Sequence, residues 1–182
     1  MCRMAELRTA HTADLDVASL GAARRLLWDV FIEGDAMTEA DWEHCIGGMH
    51  VLAWEGDKLV GHAALVMRRL LIGDRALRTG YVEGVAVRRD RQGRGIGGAL
   101  MAEVERMIRA AYDLGALGAS EAGRPFYEAR GWKPWPAPTR ALTPTGIRPT
   151  PEEDGWIYYY PAGATLDLSA PLTCDPRPGE PW

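Results

Sequence analysis

Residues 81–98 constrain this chain more than any other stretch. They read Tyr81-Val82-Glu83-Gly84-Val85-Ala86-Val87, then Arg88-Arg89-Asp90-Arg91-Gln92-Gly93-Arg94-Gly95-Ile96-Gly97-Gly98. The first part has the composition of a buried strand, with Val82, Val85 and Val87. The second is a short basic loop that opens a helix inside its glycines. Glycines at 93, 95, 97 and 98 put no side chains in the way of a ligand approaching the backbone. The first N–H groups of a helix lack internal partners and carry partial positive charge, which suits a phosphate. Arg88, Arg89, Arg91 and Arg94 stand against one acid, Asp90, and strengthen that field. The stretch therefore predicts an anionic, phosphate-bearing ligand at a strand-to-helix turn.

Rival readings of the loop fare worse. Gly93, Gly95 and Gly98 satisfy the G-x-G-x-x-G spacing, and Asp113 lies about 20 residues beyond. A dinucleotide fold needs Asp113 to end a second strand, yet the residues before it keep a helical period. A P-loop needs Lys-Ser or Lys-Thr after the glycines, and neither is present. A turn that merely packs helix on sheet does not call for so many glycines and arginines together.

The rest of the chain supplies a sheet for this turn. Leu7 to Ala10 reads as a first strand, Ser19 to Phe31 as a helix, and Thr38 to Cys45 as a short helix with Thr38 as N-cap. His50 to Trp54 and Lys58 to Arg68 form a hairpin around Gly56-Asp57. After a turn at Gly73-Asp74, Leu77 to Val87 is the next strand. Ile96, Leu100, Val104, Met107, Ile108 and Ala111 keep helical spacing through Gly95 to Asp113. Leu114 to Ala119 then reads as a strand beside 77–87, by strand–helix–strand logic. Glu121 to Arg130 reads as a helix stopped at Gly131. Trp132 to Trp135 and Gly155 to Tyr160 suggest a closing strand pair, with Pro136 to Pro151 a loop and irregular chain beyond Pro161. The fold class is α+β, a mixed α/β arrangement, in a single domain over 1–182.

The 182 residues are 47% hydrophobic and 25% charged, which is globular. A net charge of −4 argues against nucleic acid as the main partner. Cys2, Cys45 and Cys174 are odd in number and far apart, which disfavours a disulfide framework or zinc site, and no metal is expected. No apolar run has membrane-spanning length and none resembles a signal peptide, so no membrane role and a cytoplasmic location are expected.

Gln92-Gly93-Arg94-Gly95-Ile96-Gly97 fits the Gln/Arg-x-x-Gly-x-Gly/Ala signature of the GNAT superfamily of N-acetyltransferases. Phe126-Tyr127-Glu128-Ala129-Arg130-Gly131-Trp132 resembles the Tyr-x-x-x-Gly-Phe/Trp segment that follows the next strand in that superfamily. Residues 81–87, Asp41-Trp42-Glu43-His44, Gly47-Gly48-Met49-His50, Arg68-Arg69, the 127–135 segment and the final tryptophan make nearly the whole chain similar to the bacterial aminoglycoside 2′-N-acetyltransferases. The resemblance implies a central mixed, mostly antiparallel sheet flanked by helices, with a splayed strand pair that admits acetyl-CoA. It implies that Val85, Ala86 and Val87 hold the acetyl and pantetheine by main-chain bonds. Gln92, Gly93, Arg94, Gly95, Ile96 and Gly97 would hold the pyrophosphate, with help from Arg124. A homodimer is implied as well.

Amine acetylation needs a neutral amine, a polarised thioester and a proton for the leaving thiolate. Glu83 sits on the motif strand where a base is needed, acting directly or through one water. A backbone N–H near Val85 suits the developing oxyanion. Tyr127 is the implied general acid. On the acceptor side, Glu33, Asp35, Glu152-Glu153-Asp154 and Glu180 fall in loops and read equally as solvated charges or as a cleft for a polycation. The resemblance places substrate contacts on Asp35, Glu83, Gly84, Gly118, Glu153, Glu180 and Trp182. Three of these depart from the family: Glu153 and Glu180 stand for aspartates, and Gly118 stands for a serine. Such changes bear on which antibiotic fits, and bring kasugamycin forward as an alternative substrate. The aromatic set Trp132, Trp135, Trp156, Trp182 and Tyr158 to Tyr160 reads as a sugar-binding wall or as core. His50 and His62 read as core histidines. On residues alone, a GNAT enzyme for another amine and a non-catalytic acyl-CoA sensor both stay open.

Overall fold

A computed structural model describes residues 5–32 and 36–182. The chain divides into two compact units, one of residues 1–66 and 82–106, the other of 67–81 and 107–182.

In the first unit, β1 (Glu6–His11) runs antiparallel to β2 (Met49–Glu55), which runs antiparallel to the start of β3 (Lys58–Ile72). The β2–β3 hairpin turns at Gly56, whose φ of 64° needs glycine. Helix α1 (Val17–Val30) starts where the Asp16 carboxylate accepts the Ser19 N–H at 2.6 Å. Its face of Ala23, Leu26 and Leu27 is buried with Leu15, Leu52, Leu59, Ala64 and Ala86. Helix α2 (Glu39–His44) has a full capping box: Thr38 Oγ1 accepts the Asp41 N–H at 3.2 Å and Asp41 accepts the Thr38 N–H at 2.8 Å. Helix α3 (Ile96–Ala111) begins in this unit. A Cβ at Gly61 of β3 would meet Ile96 Cγ2 at 2.9 Å and Leu100 Cδ1 at 3.0 Å, so that glycine lets α3 lie close on the strand.

In the second unit, β4 (Arg75–Val87) pairs in parallel with β5 (Leu114–Gly118), Thr79–Tyr81 against Leu114–Ala116. Strand β9 (Ile157–Pro161) lies antiparallel to β5, and β6 (Lys133–Pro134) antiparallel to β9. This is the closing strand pair that the sequence suggests. Helix α4 covers only Arg124–Glu128, shorter than the expected 121–130, because Pro125 sets its first turn and Gly131, at φ 90°, ends the segment.

Two expectations about the last third are overturned. Pro136 to Pro151 is not a loop: β7 (Thr139–Thr143) and β8 (Gly146–Pro149) form an antiparallel hairpin. The prolines sit before β7, in the turn and at the end of β8, whose four residues are all exposed, where a missing N–H costs nothing. The chain beyond Pro161 is not wholly irregular either. Strand β10 (Leu172–Cys174) is buried between β3, antiparallel, and β7, parallel. The sheet is thus mixed and mostly antiparallel. No helix among the described residues is long and apolar enough to cross a membrane.

Candidate active site

The motif strand kinks at Gly84, whose φ is 54°. A Cβ there would lie 2.8 Å from Cys45 Sγ and 3.2 Å from Leu27 Cδ1, so both backbone and space demand glycine. Glu83 precedes the kink and is half-buried; Val85 and Val87 follow it half-buried, with Ala86 buried between them. The strand end is held by the Arg88 N–H, which donates to Val60 O at 2.9 Å.

The loop that follows is tied to the protein's own groups. Arg88 Nε donates to Asp90 Oδ1 at 2.6 Å, and Arg91 donates to Asp90 Oδ2 and Glu55 Oε2, each at 2.8 Å. Arg89 Nη2 donates to Val30 O at 3.2 Å. Glu55, distant in sequence, is a second acid set against the four arginines. Gln92 Nε2 donates to Val87 O at 3.1 Å, which clamps the loop onto the strand. Gly93 and Gly95 have φ of 72° and 81°, and a Cβ at either would meet nothing within 4 Å. These glycines serve the backbone's path and leave open space beside it. The first intrahelical bond is Ala99 N–H to Gly95 O at 3.0 Å, so the N–H groups of residues 96–98 precede the helical ladder.

In the second unit, Tyr127 lies in the last turn of α4 with its ring edge-on to Phe126 and Trp132, at centroid distances of 5.2 and 6.2 Å. Burial pushes its phenol up to about 12, so it stays a protonated O–H donor throughout the neutral range. Arg124 Nε donates to Tyr158 Oη at 3.0 Å and its guanidinium lies 4.6 Å over the Trp156 ring. Trp132, Trp135, Tyr158 and Tyr159 are buried, which makes most of the aromatic set core.

The same unit gathers four of the expected acceptor contacts. Glu153 is half-buried, and its carboxyl is held above the usual range by burial first, then by Glu152 and Glu180, with Arg177 opposing. Arg177 Nε donates to Glu180 O at 2.8 Å, and Nη2 donates to the Trp182 main-chain oxygen. The Trp182 indole is buried, its Nε1 donating to Thr150 Oγ1 at 3.0 Å. The Arg177 guanidinium lies 5.5 Å over the Tyr81 ring, and a Cβ on Gly118 would sit 3.8 Å from Tyr81 Oη. Gly118, Glu153, Glu180 and Trp182 thus share one neighbourhood. Sequence reasoning missed what holds it. Buried Arg68 donates to Asp175 Oδ1 at 2.7 Å, to Asp175 O at 2.9 Å and to Pro181 O at 2.7 Å, pinning the terminal strap. Asp35 lies outside the described residues. Among the described residues no group of three or more His, Cys, Asp and Glu side chains is placed to hold a metal.

Residues 23–135 match the model of the acetyltransferase (GNAT) domain family. Over 179 residues the chain is 49% identical to an aminoglycoside 2′-N-acetyltransferase of Mycolicibacterium fortuitum, covering 96% of this chain and 91% of that protein. The chain belongs to the GNAT acetyltransferase family. Two solved GNAT structures agree in fold. A GNAT family N-acetyltransferase of Escherichia coli (YhbS) in complex with CoA has a TM-score of 0.65 at 12% identity, covering 96% of this chain and 91% of that one. A GNAT family acetyltransferase of Brucella melitensis in complex with acetyl-CoA has a TM-score of 0.61 at 16% identity, covering 92% and 94%.

GNAT acetyltransferases use acetyl-CoA, and the loop's geometry fits that molecule. Its diphosphate needs several N–H donors in a small concave space without side chains. Open space at Gly93 and Gly95, and the helix-start amides of 96–98, meet that need. Of the arginines nearby, Arg88 and Arg91 are ion-paired with Asp90 and Glu55, so fewer of the four charges are left to a ligand than the sequence suggests.

Proposed function

We propose that this chain transfers the acetyl group of acetyl-CoA to the 2′-amino group of an aminoglycoside. The observation that carries the reading is its 49% identity, over nearly the whole chain, with a protein of that name. The carboxylates of Glu153 and Glu180 beside Trp182 support it, since burial and then its acidic neighbours hold the Glu153 carboxyl above its usual range, and a polycation eases that.

In this reading Val85, Ala86 and Val87 hold the acetyl and pantetheine arm, and residues 92–97 and Arg124 hold the phosphates. Acetyl-CoA supplies the activated acetyl group. Glu83 takes a proton from the substrate ammonium, directly or through water, and frees the nitrogen lone pair for attack. The Val85 N–H stabilises the oxyanion as it forms. The carbon–sulfur bond then breaks, and Tyr127 gives the departing thiolate its proton. Asp35, Gly84, Gly118, Glu153, Glu180 and Trp182 receive the antibiotic. The whole chain acts as one GNAT domain in a homodimer. The buried thiols of Cys45 and Cys174, neither in a disulfide, suit a reducing cytoplasm.

Kasugamycin is the second reading. At Gly118 a serine's Cβ would make only ordinary contacts, so its loss widens the acceptor side rather than relieving a clash. Thiol release measured side by side with gentamicin, tobramycin and kasugamycin tests both. Turnover with at least one is expected, and turnover with none removes the reading. With the best acceptor, Glu83→Gln is expected to lower kcat by about 10²–10⁴ with the KM for acetyl-CoA within twofold. A loss below threefold removes Glu83 as the base.

A further inference from the structure

Two buried histidines stand in a line that ends on the motif strand. His50 and His62 are fully buried. Thr12 Oγ1 lies 2.8 Å from His50 Nε2, His50 Nδ1 lies 3.0 Å from His62 Nε2, and His62 Nδ1 lies 2.7 Å from Gly84 O. The chemistry of the last member fixes the direction of the whole line. A carbonyl oxygen only accepts, so His62 Nδ1 carries a proton. In a neutral ring its Nε2 is then an acceptor, so His50 Nδ1 must also carry a proton. His50 Nε2 is in turn an acceptor, and the Thr12 hydroxyl donates to it. That hydroxyl has a second acceptor in reach, Gly48 O at 3.2 Å, but His50 Nε2 is the nearer, and the Gly47 N–H donates to the hydroxyl oxygen at 3.0 Å. Burial lowers both histidines to about 4, so the line stays neutral and one-directional at neutral pH.

We infer that His62, kept in its Nδ1–H tautomer by His50 and Thr12, is a positioning residue that aims the Val85 N–H at the reacting carbonyl. The link is the planar peptide between Gly84 and Val85. None of the described peptides is cis. In a trans peptide the C=O and N–H point in opposite directions. Gripping the Gly84 oxygen from β3 therefore turns the Val85 N–H away from β3. Gly84, at φ 54°, has the widest backbone choice in this stretch, so the strand alone does not fix that plane. The inference rests on the proposed role of Val85 as oxyanion donor.

The test uses the full-length protein with three variants. His62→Leu removes the donor. His62→Asn keeps an N–H near the Nδ1 position. His50→Leu leaves His62 without its tautomer partner. In ¹⁵N NMR at pH 7, both wild-type rings are expected in the neutral Nδ1–H form. The Val85 amide resonance should move in His62→Leu and return towards wild type in His62→Asn. In thiol release with tobramycin or the best acceptor found, His62→Leu should lose about tenfold in kcat with the KM for acetyl-CoA within twofold. His62→Asn should recover to within about threefold, and His50→Leu should fall between them. A purely structural role would lower the melting temperature without this split or this rescue. An Nε2–H tautomer on His62, or a Val85 amide unmoved in folded His62→Leu, overturns the inference. So does an unchanged kcat in that variant. If wild type acetylates no aminoglycoside, the proposed substrate fails, and the tautomer and amide measurements still judge the grip on Gly84.

Discussion

The two units present their candidate chemistry by opposite means. In the first, the loop at 92–98 and the strand end at 84–87 offer main-chain amides, and side chains matter mostly where they are absent. Gly84 is required by its φ and by Cys45, and Gly93 and Gly95 by their φ alone. In the second, the neighbourhood of Glu153, Glu180 and Trp182 is made of side chains on a strap held by Arg68 and Arg177. A backbone-built site accepts almost any drift in surrounding residues and almost none at its glycines. A side-chain-built site moves by a methylene when Asp becomes Glu.

The largest expected effect falls on the backbone side. Gly84→Ala places a non-glycine residue at positive φ, costing about 1–2 kcal/mol. It also drives a Cβ against Cys45 Sγ at 2.8 Å, an overpacking cost of about 1–3 kcal/mol. Denaturant unfolding should therefore show a combined loss of about 2–5 kcal/mol. Adding Cys45→Ala removes the clash and leaves the φ cost, so the double variant should recover part of the loss but not all. Full recovery would mean that the kink is only a matter of space. No recovery would mean that the packing argument is wrong.

A middle-sized effect is expected on the side-chain side. Arg68→Met keeps length and apolar bulk but removes the donors to Asp175 and Pro181. Removing one partner of a buried pair costs about 3–5 kcal/mol when the other stays buried. Asp175 keeps 30% side-chain exposure, so about 1–3 kcal/mol is expected here. The sharper readout is kinetic. Freed of its anchor, the strap should raise the KM for the acceptor about fivefold or more while the KM for acetyl-CoA stays within twofold. An equal rise in both would erase the distinction between the two regions.

The same contrast explains what the sequence could reveal. The strand, glycine loop and helix were legible because their backbone path is written in residue types at fixed spacing, and backbone amides follow wherever the strand and helix go. The Thr38 cap and the turns at Gly56 and Gly73 were legible for the same local reason. The β7–β8 hairpin was not, because five prolines in and around it outweigh a strand pattern only a few residues long. Strand β10 was not, because three residues make a strand only by lying between β3 and β7. Glu55, which neutralises Arg91, and Arg68, which holds the strap, act across 36 and 107 residues of chain. His50 and His62 read correctly as core, but their alignment onto Gly84 depends on the β2–β3 register.

The smallest effect concerns pH and the acceptor. Glu153 has a folded-state pKa above its ordinary value, first from burial and then from its acidic neighbours. A raised carboxyl pKa means the native state holds its proton more tightly than the unfolded chain. The group's contribution to stability is therefore present at low pH and lost as pH rises through the folded value. Binding runs the other way, because a polycation favours the carboxylate. The KM for the acceptor should fall as pH rises through this titration, and binding in weakly acidic buffer should release a proton. Glu153→Gln should flatten that part of the profile and raise the acceptor KM by about two- to fivefold, the scale of a partly exposed charge pair. It should also slightly stabilise the free protein at neutral pH, since it removes a charge that burial and two acidic neighbours disfavour. Calorimetry in buffers of different ionisation enthalpy counts the proton directly. If Glu153→Gln leaves proton release and acceptor KM unchanged, the carboxylates beside Trp182 are solvated loop charges, and the acceptor is held elsewhere.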